Sequence, residues 1–111
     1  MISLPNKSYV KGYNFERRVM KHLEKSGFFV QRSGKSKFPD LIAVRKSDFA
    51  GVNMPDVLIV EVKVNKYISR EEKSEADEIF EKTKIPLTVF WRDGRKLMRY
   101  EYKRDNIVDT P

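Results

Sequence analysis

The run Val57-Leu58-Ile59-Val60-Glu61-Val62-Lys63 restricts the possible folds of this chain more than any other feature. Successive residues of a strand point to opposite faces, so Val57, Ile59, Glu61 and Lys63 share one side while Leu58, Val60 and Val62 share the other. Both sides are apolar until the last three residues. Such a strand needs cover on both faces, which makes it the centre of a layered α/β domain with a charged C-terminal end. At 111 residues there is room for one core of this kind, and residues 1–111 read as a single domain.

The flanking elements follow from periodicity and punctuation. At ~100° per residue, Tyr13 to Lys25 reads as a helix with Phe15, Glu16, Val19, Met20, His22 and Leu23 in one arc and Arg17, Arg18, Lys21, Glu24 and Lys25 outside it. Gly27 stops that helix. Phe28 to Arg32 is a short strand, Ser33 to Lys37 a polar loop, Leu41 to Arg45 a second strand, and Ser47 to Pro55 a long connection. Ser69-Arg70-Glu71-Glu72 fits a capping box that starts a second helix near Arg70, and Pro86 ends it ahead of a strand from Leu87 to Trp91. Asp93-Gly94 marks a turn into an antiparallel partner, Leu97 to Tyr102, leaving Asp105 to Pro111 as a tail or a last short element. The expected order is α β β β α β β, an α/β domain whose mixed central sheet is flanked by helices.

Twenty-three Lys and Arg against sixteen Asp and Glu give a formal charge of +7, the footprint of a surface that binds phosphates, so nucleic acid leads the candidate partners. No run has the apolar length of a spanning helix, and a membrane role is not expected. The absence of Cys excludes disulfides, thiolate zinc sites and cysteine nucleophiles. Met1 to Gly12 lacks the apolar stretch of a secretory signal, which points to an intracellular setting, cytoplasmic or nucleoid-associated, or a host cell for a viral chain.

Four side chains lie where a globular fold has little structural use for them. Glu16 is the only carboxylate in its helix's apolar arc, Asp40 opens a strand after Pro39, and Glu61 and Lys63 end a buried one. Paired carboxylates with open coordination positions suit a hard cation such as magnesium, which keeps most of its waters and joins phosphate oxygens to one or two carboxylates. A lysine beside them can orient a water or neutralise charge that develops in phosphodiester hydrolysis.

These residues resemble the PD-(D/E)XK nuclease signature, in Pro39-Asp40 followed by Glu61-Val62-Lys63. With Lys11-Gly12, Glu16-Arg17, Gly27-Phe28, Arg32-Ser33-Gly34 and Pro39-Asp40-Leu41-Ile42-Ala43 in that order, the chain resembles the archaeal-type Holliday junction resolvases over roughly residues 11 to 102. The resemblance implies a restriction-endonuclease-like fold and a magnesium-dependent endonuclease, with manganese able to substitute, that cuts four-way DNA junctions as a homodimer. It also implies that Glu16, Ser33, Asp40, Glu61 and Lys63 are catalytic. Glu16, Asp40, Glu61 and the Val62 backbone carbonyl would hold the metal, and Lys11, Arg17, Arg32, Lys35 and Lys37 would contact DNA. Related nucleases often carry a glutamine at the start of the second helix, where this chain has Glu72 and Lys73.

Asp56 also follows a proline, but it precedes Glu61 on the same strand and leaves no room for a hairpin between them, so Asp40 is assigned. The segment from Asp40 to Glu61 is longer than the family leads one to expect, with the excess on Ser47 to Pro55, which a hairpin connection absorbs at small entropic cost. His22 is assigned to packing at the margin of the core. Trp91, Tyr100 and Tyr102 suit base stacking, strand packing or a dimer interface alike, and Trp91 and Tyr100 are named as interface candidates. Two other readings stand beside the resolvase: a nuclease of the same superfamily acting on other DNA, and a basic nucleic-acid-binding module without catalysis, in which Glu61 and Lys63 form only a salt bridge.

Overall fold

Strand β3 (Asp56–Val62) lies at the middle of the sheet because both of its faces must be covered. The computed structural model describes residues 7–34, 38–47, 54–104 and 106–109. Around β3 stand β1 (Phe29–Arg32), β2 (Leu41–Arg45), β4 (Leu87–Asp93), β5 (Lys96–Lys103) and β6 (Asn106–Asp109), with helices α1 (Lys7–Lys25) and α2 (Arg70–Thr83). The strands run in sequence order across one six-stranded sheet, β1-β2-β3-β4-β5-β6. All neighbouring pairs are antiparallel except β3 and β4, and that one parallel pair is the one whose connection contains α2, as a parallel crossover requires.

The alternation along β3 divides the core in two. Val60, with Leu58 and Val62, packs with Leu41, Ala43 and Phe90 against Phe15, Val19 and Leu23 of α1. Ile59 packs on the other face with Leu87, Val89, Tyr100 and Tyr102 against Ala76 and Ile79 of α2. Glu61 belongs to this second face. Its helix α2 carries the expected capping box at Ser69 and Glu72, and Lys84 closes it in the left-handed conformation at φ 61°.

The structure extends the sequence reading at both ends of the chain. Helix α1 begins at Lys7 rather than Tyr13, because the apolar arc that marks a helix in the sequence starts only at Phe15 while nothing before it breaks the helix. It ends as expected: Gly27 takes φ 91°, and the Phe28 N–H returns to the Leu23 carbonyl at 3.1 Å. The last short element is a real strand. All four residues of β6 are exposed, so no burial pattern announces it. Tyr100 and Tyr102 are buried in the second core, which withdraws Tyr100 as an interface residue, and Trp91 is half-buried with the Lys66 ammonium 5.7 Å from its ring. His22 is exposed and meets Phe90 edge-on at 5.9 Å, a boundary contact as expected. Of the long connection, residues 48–53 lie outside the described residues.

The Tyr100 hydroxyl donates to the Lys66 carbonyl at 2.7 Å and pins the segment that joins β3 to α2. Burial first, then the charges of Glu72 and Asp109, push this phenol up from 10.0 to about 12. A group whose folded value is raised stabilises the fold fully below its unfolded value, so this contribution is complete below pH 10 and disappears as the pH rises through 12. Tyr100→Phe is therefore expected to lower the unfolding free energy by about 1–2 kcal/mol near neutral pH and to reduce the alkaline decline. Urea titrations of both proteins at neutral and alkaline pH check it, and identical curves would refute it.

Candidate active site

Strand register places three of the sequence-selected residues in one row. Arg32 pairs with Leu41 and Leu41 with Val60, so one step beyond them Ser33, Asp40 and Glu61 stand side by side at the ends of β1, β2 and β3. The Ser33 N–H donates to the Asp40 carbonyl at 2.9 Å. The Asp40 N–H donates to Glu61 Oε1 at 3.2 Å, and Asp40 Oδ2 accepts from the Val62 N–H at 2.8 Å. Side chains thus continue the β2–β3 ladder past its last backbone pair. Asp40 and Glu61 are held facing each other.

Lys63 follows immediately, its backbone N–H bonded to the Phe90 carbonyl at 2.9 Å. Its Nζ lies 2.7 Å from Glu72 Oε2 and 4.0 Å from Glu61 Oε2. Glu72 is fixed in turn by its cap: its Oε1 accepts from the Ser69 N–H at 2.8 Å, and Ser69 Oγ accepts from the Glu72 N–H at 3.1 Å. One carboxylate therefore caps α2 with one oxygen and holds the lysine with the other.

Glu61 is 3% exposed, and its carboxyl is pushed up to about 10, by burial above all and then by the hydrogen bonds and charges of Glu72 and Asp40. Burial pushes Glu72 the same way, but hydrogen bonds from Glu61, Lys63 and Ser69 outweigh it and bring Glu72 down to about 2. At neutral pH Glu61 keeps a proton and Glu72 the negative charge. A site that holds a proton for want of positive charge is one a divalent cation suits. The donors fit: Asp40 and Glu61 offer carboxylate oxygens, and since Val62 points its N–H at Asp40, its carbonyl points to the same side of the strand. Among the described residues no three Asp, Glu or His side chains gather around one point, so a cation here would complete its shell with water and phosphate oxygens.

Glu16 is not brought into this row. It lies on α1, over the other face of the sheet, where Arg32 Nε reaches its Oε1 at 2.6 Å. Arg32 and Arg17 both approach the Tyr13 ring, at 5.2 and 5.9 Å. Lys11 falls within α1, and Lys35 and Lys37 lie outside the described residues. Asp56 starts β3 at the end opposite Glu61 and pairs with Arg45 at 3.1 Å, which removes it from the site. Glu72 is the residue the sequence reading left aside. Its capping role is legible in Ser69-Arg70-Glu71-Glu72, but its contact with Lys63 depends on the path of the intervening segment.

A sheet of this topology with a Pro-Asp and Glu-Val-Lys pair facing each other at the ends of β2 and β3 defines a domain of the PD-(D/E)XK type. A family model described as archaeal Holliday junction resolvase matches residues 7–85, and the chain belongs to that family. The crossover junction endodeoxyribonuclease Hjc of Methanocaldococcus jannaschii is 44% identical over an alignment of 68 residues that covers 58% of this chain and 45% of that protein, so the match spans less than half of the curated relative's length. The structure of Archaeoglobus fulgidus Hjc, a Holliday junction resolvase from an archaeal hyperthermophile, has the same fold, with a TM-score of 0.60 at 22% identity over 89% of this chain and 84% of that one.

The two roles of Glu72 are separable. Ser69→Ala removes half of the cap and should destabilise the domain by about 1 kcal/mol with the Lys63–Glu72 pair in place. Glu72→Ala should cost at least as much, since it also leaves Lys63 without its nearer carboxylate. Paired urea titrations measure both, and a Glu72→Ala chain as stable as the wild type would show that neither contact matters.

Proposed function

We propose that this chain is a magnesium-dependent endonuclease that binds four-way DNA junctions as a homodimer and resolves them by paired phosphodiester hydrolysis. The observation that carries the reading is the row of Asp40, Glu61 and Lys63, aligned by hydrogen bonds and by the Lys63–Glu72 pair. The family membership and the name of the Methanocaldococcus relative, a crossover junction endodeoxyribonuclease, support the choice of substrate. The chemistry supplied by a bound divalent cation is polarisation of the phosphate and acidification of a water. Asp40, Glu61 and the Val62 carbonyl would hold the cation. Lys63, anchored by Glu72 yet only partly buried, turns its ammonium toward the attacked phosphate, where it steadies a water or offsets developing negative charge. Ser33 shares the row, and Arg17 and Arg32 meet flanking phosphates. Such work on DNA implies an intracellular setting, and no described helix is long and apolar enough to cross a membrane.

Symmetry follows from the substrate. Productive resolution cuts two strands of like polarity, and one chain offers one row, so two chains related by a two-fold axis present two equivalent sites to a pseudo-two-fold junction. A non-catalytic binder is the weaker reading, because Lys63 sits nearer Glu72 than Glu61 and a buried carboxyl pair beside phosphates only hinders binding.

Incision mapping on four-way junctions and plain duplex, with magnesium or with chelator, tests the proposal. Asp40→Asn and Glu61→Gln are expected to abolish cutting while junction affinity holds or rises, and Lys63→Ala to slow it by about 10²-fold or more. Wild-type rates in the carboxylate variants would sink the assignment, and equal cutting of plain duplex would remove the junction. Mixed dimers of wild-type and Asp40→Asn chains should nick junctions without resolving them. A monomer both free and bound, by sedimentation, contradicts the pairing alone.

A further inference from the structure

On the face of the sheet away from the carboxylate row, an open cleft of about 1020 Å³ runs between α1 and the β4–β5 hairpin. Its walls carry Arg17, Arg18, Lys21 and Lys25 from α1 and Lys96 and Arg99 from β5, above a floor that includes Phe90 and Leu97. No Asp or Glu lines it. Among the described residues Lys21, Lys25 and Lys96 have no ion-pair partner.

Fold stability does not account for this cluster. Arg17, Lys21 and Lys25 stand at successive i, i+4 positions, where like charges disfavour a helix. An anion running along the helix removes that repulsion. From Arg17 to Lys25 the helix rises about 12 Å, which matches roughly three or four phosphates of one DNA strand at about 3.4 Å of axial spacing. The walls are fixed in advance, because the Arg18 guanidinium donates to the Arg95 carbonyl at 2.8 Å and ties α1 to the hairpin. The cleft also has a route to the catalytic row. Arg17 borders a smaller cavity that holds Glu16 and Arg32, and Arg32 directly precedes Ser33, whose N–H is bonded to Asp40. Lys96 and Arg99 lie outside residues 7–85, the part that matches the family model.

We propose that this cleft is a second DNA site, which grips the phosphate backbone of a duplex arm on its way from the cut and does so without reading bases. The choice of DNA rests on the endonuclease reading above. Phosphate contacts of this kind hold an arm in place and make affinity fall with salt by about 0.9 log units per contact for each tenfold rise.

Anisotropy titrations of a labelled four-way junction and of plain duplex, in chelator so that nothing is cut, measure affinity and salt slope. The triple variant Lys21→Gln, Lys25→Gln, Lys96→Gln is expected to bind both DNAs at least tenfold more weakly at low salt and to flatten the slope by about 2.7. A control with the same change in net charge, Lys46→Gln, Lys82→Gln, Lys103→Gln, should keep the wild-type slope. An unchanged slope in the cleft variant overturns the inference, and so does an equal change in both variants, which would mean that net charge alone governs binding. All six lysines are exposed, and Lys21→Gln alone, with an expected change of about 0.9, serves if the triple variant is unstable. Wild-type chain that binds DNA steeply with salt but never cuts it refutes the endonuclease reading, while the cleft variants still decide this one.

Discussion

The reciprocal hydrogen bonds between Asp40 and the end of β3 are the interaction on which the rest of the structure depends. A carboxylate buried as deeply as Glu61 is unfavourable in any fold unless its oxygens are satisfied. Here one oxygen accepts from the Asp40 N–H while Asp40 returns a bond to the Val62 N–H. This exchange locks the register of β2 against β3 at the position where the two strands part. The same register sets Val60 against Leu41 in the α1 core, so packing and chemistry rest on one alignment. A slip of one residue would turn Glu61 into that core and Val60 out of it.

The sheet also separates charge of opposite sign. On its α2 face Asp40 bonds to Glu61, and Lys63 lies between Glu61 and Glu72, while the cleft on its α1 face gathers arginines and lysines with no carboxylate in its walls. Mixed on one face, these groups would pair and cancel. Kept apart, Asp40 and Glu61 keep their bonds to each other, and the basic cleft stays charged toward solvent. Glu16 lies beside the cleft rather than in it, and there it is taken up by Arg32. Under the proposed function, two-sided use of one sheet would let a small domain carry both a reacting centre and a surface that holds its substrate.

Much of this was legible in the amino-acid sequence, because local chemistry determined it. The apolar run of β3, the arc from Phe15 to Leu23, the box from Ser69 to Glu72 and the glycine at 27 are short-range patterns, and each became the element it announced. The Pro-Asp and Glu-Val-Lys pairs stood out because charge in an apolar setting calls for a reason beyond packing. What burial does not mark was missed or left open: the exposed strand β6, the first turns of α1 before its apolar arc, and the fate of Tyr100, whose residue type suits a core and a surface equally.

Tertiary structure alone decided which charges meet. Glu16 and Glu72 are both carboxylates near the start of an amphipathic pattern, and the sequence favoured the first; the crossing of the chain from Lys63 through Ser69 brought the second to the lysine instead. The basic cleft was likewise invisible, since Lys25 and Lys96 are far apart in the chain and become neighbours only when α1 lies along the β4–β5 hairpin. Periodicity reports which face of an element is buried, because burial is a property of each residue and its near neighbours. Electrostatic pairing depends on distances between elements, and those exist only once the whole sheet has closed its register.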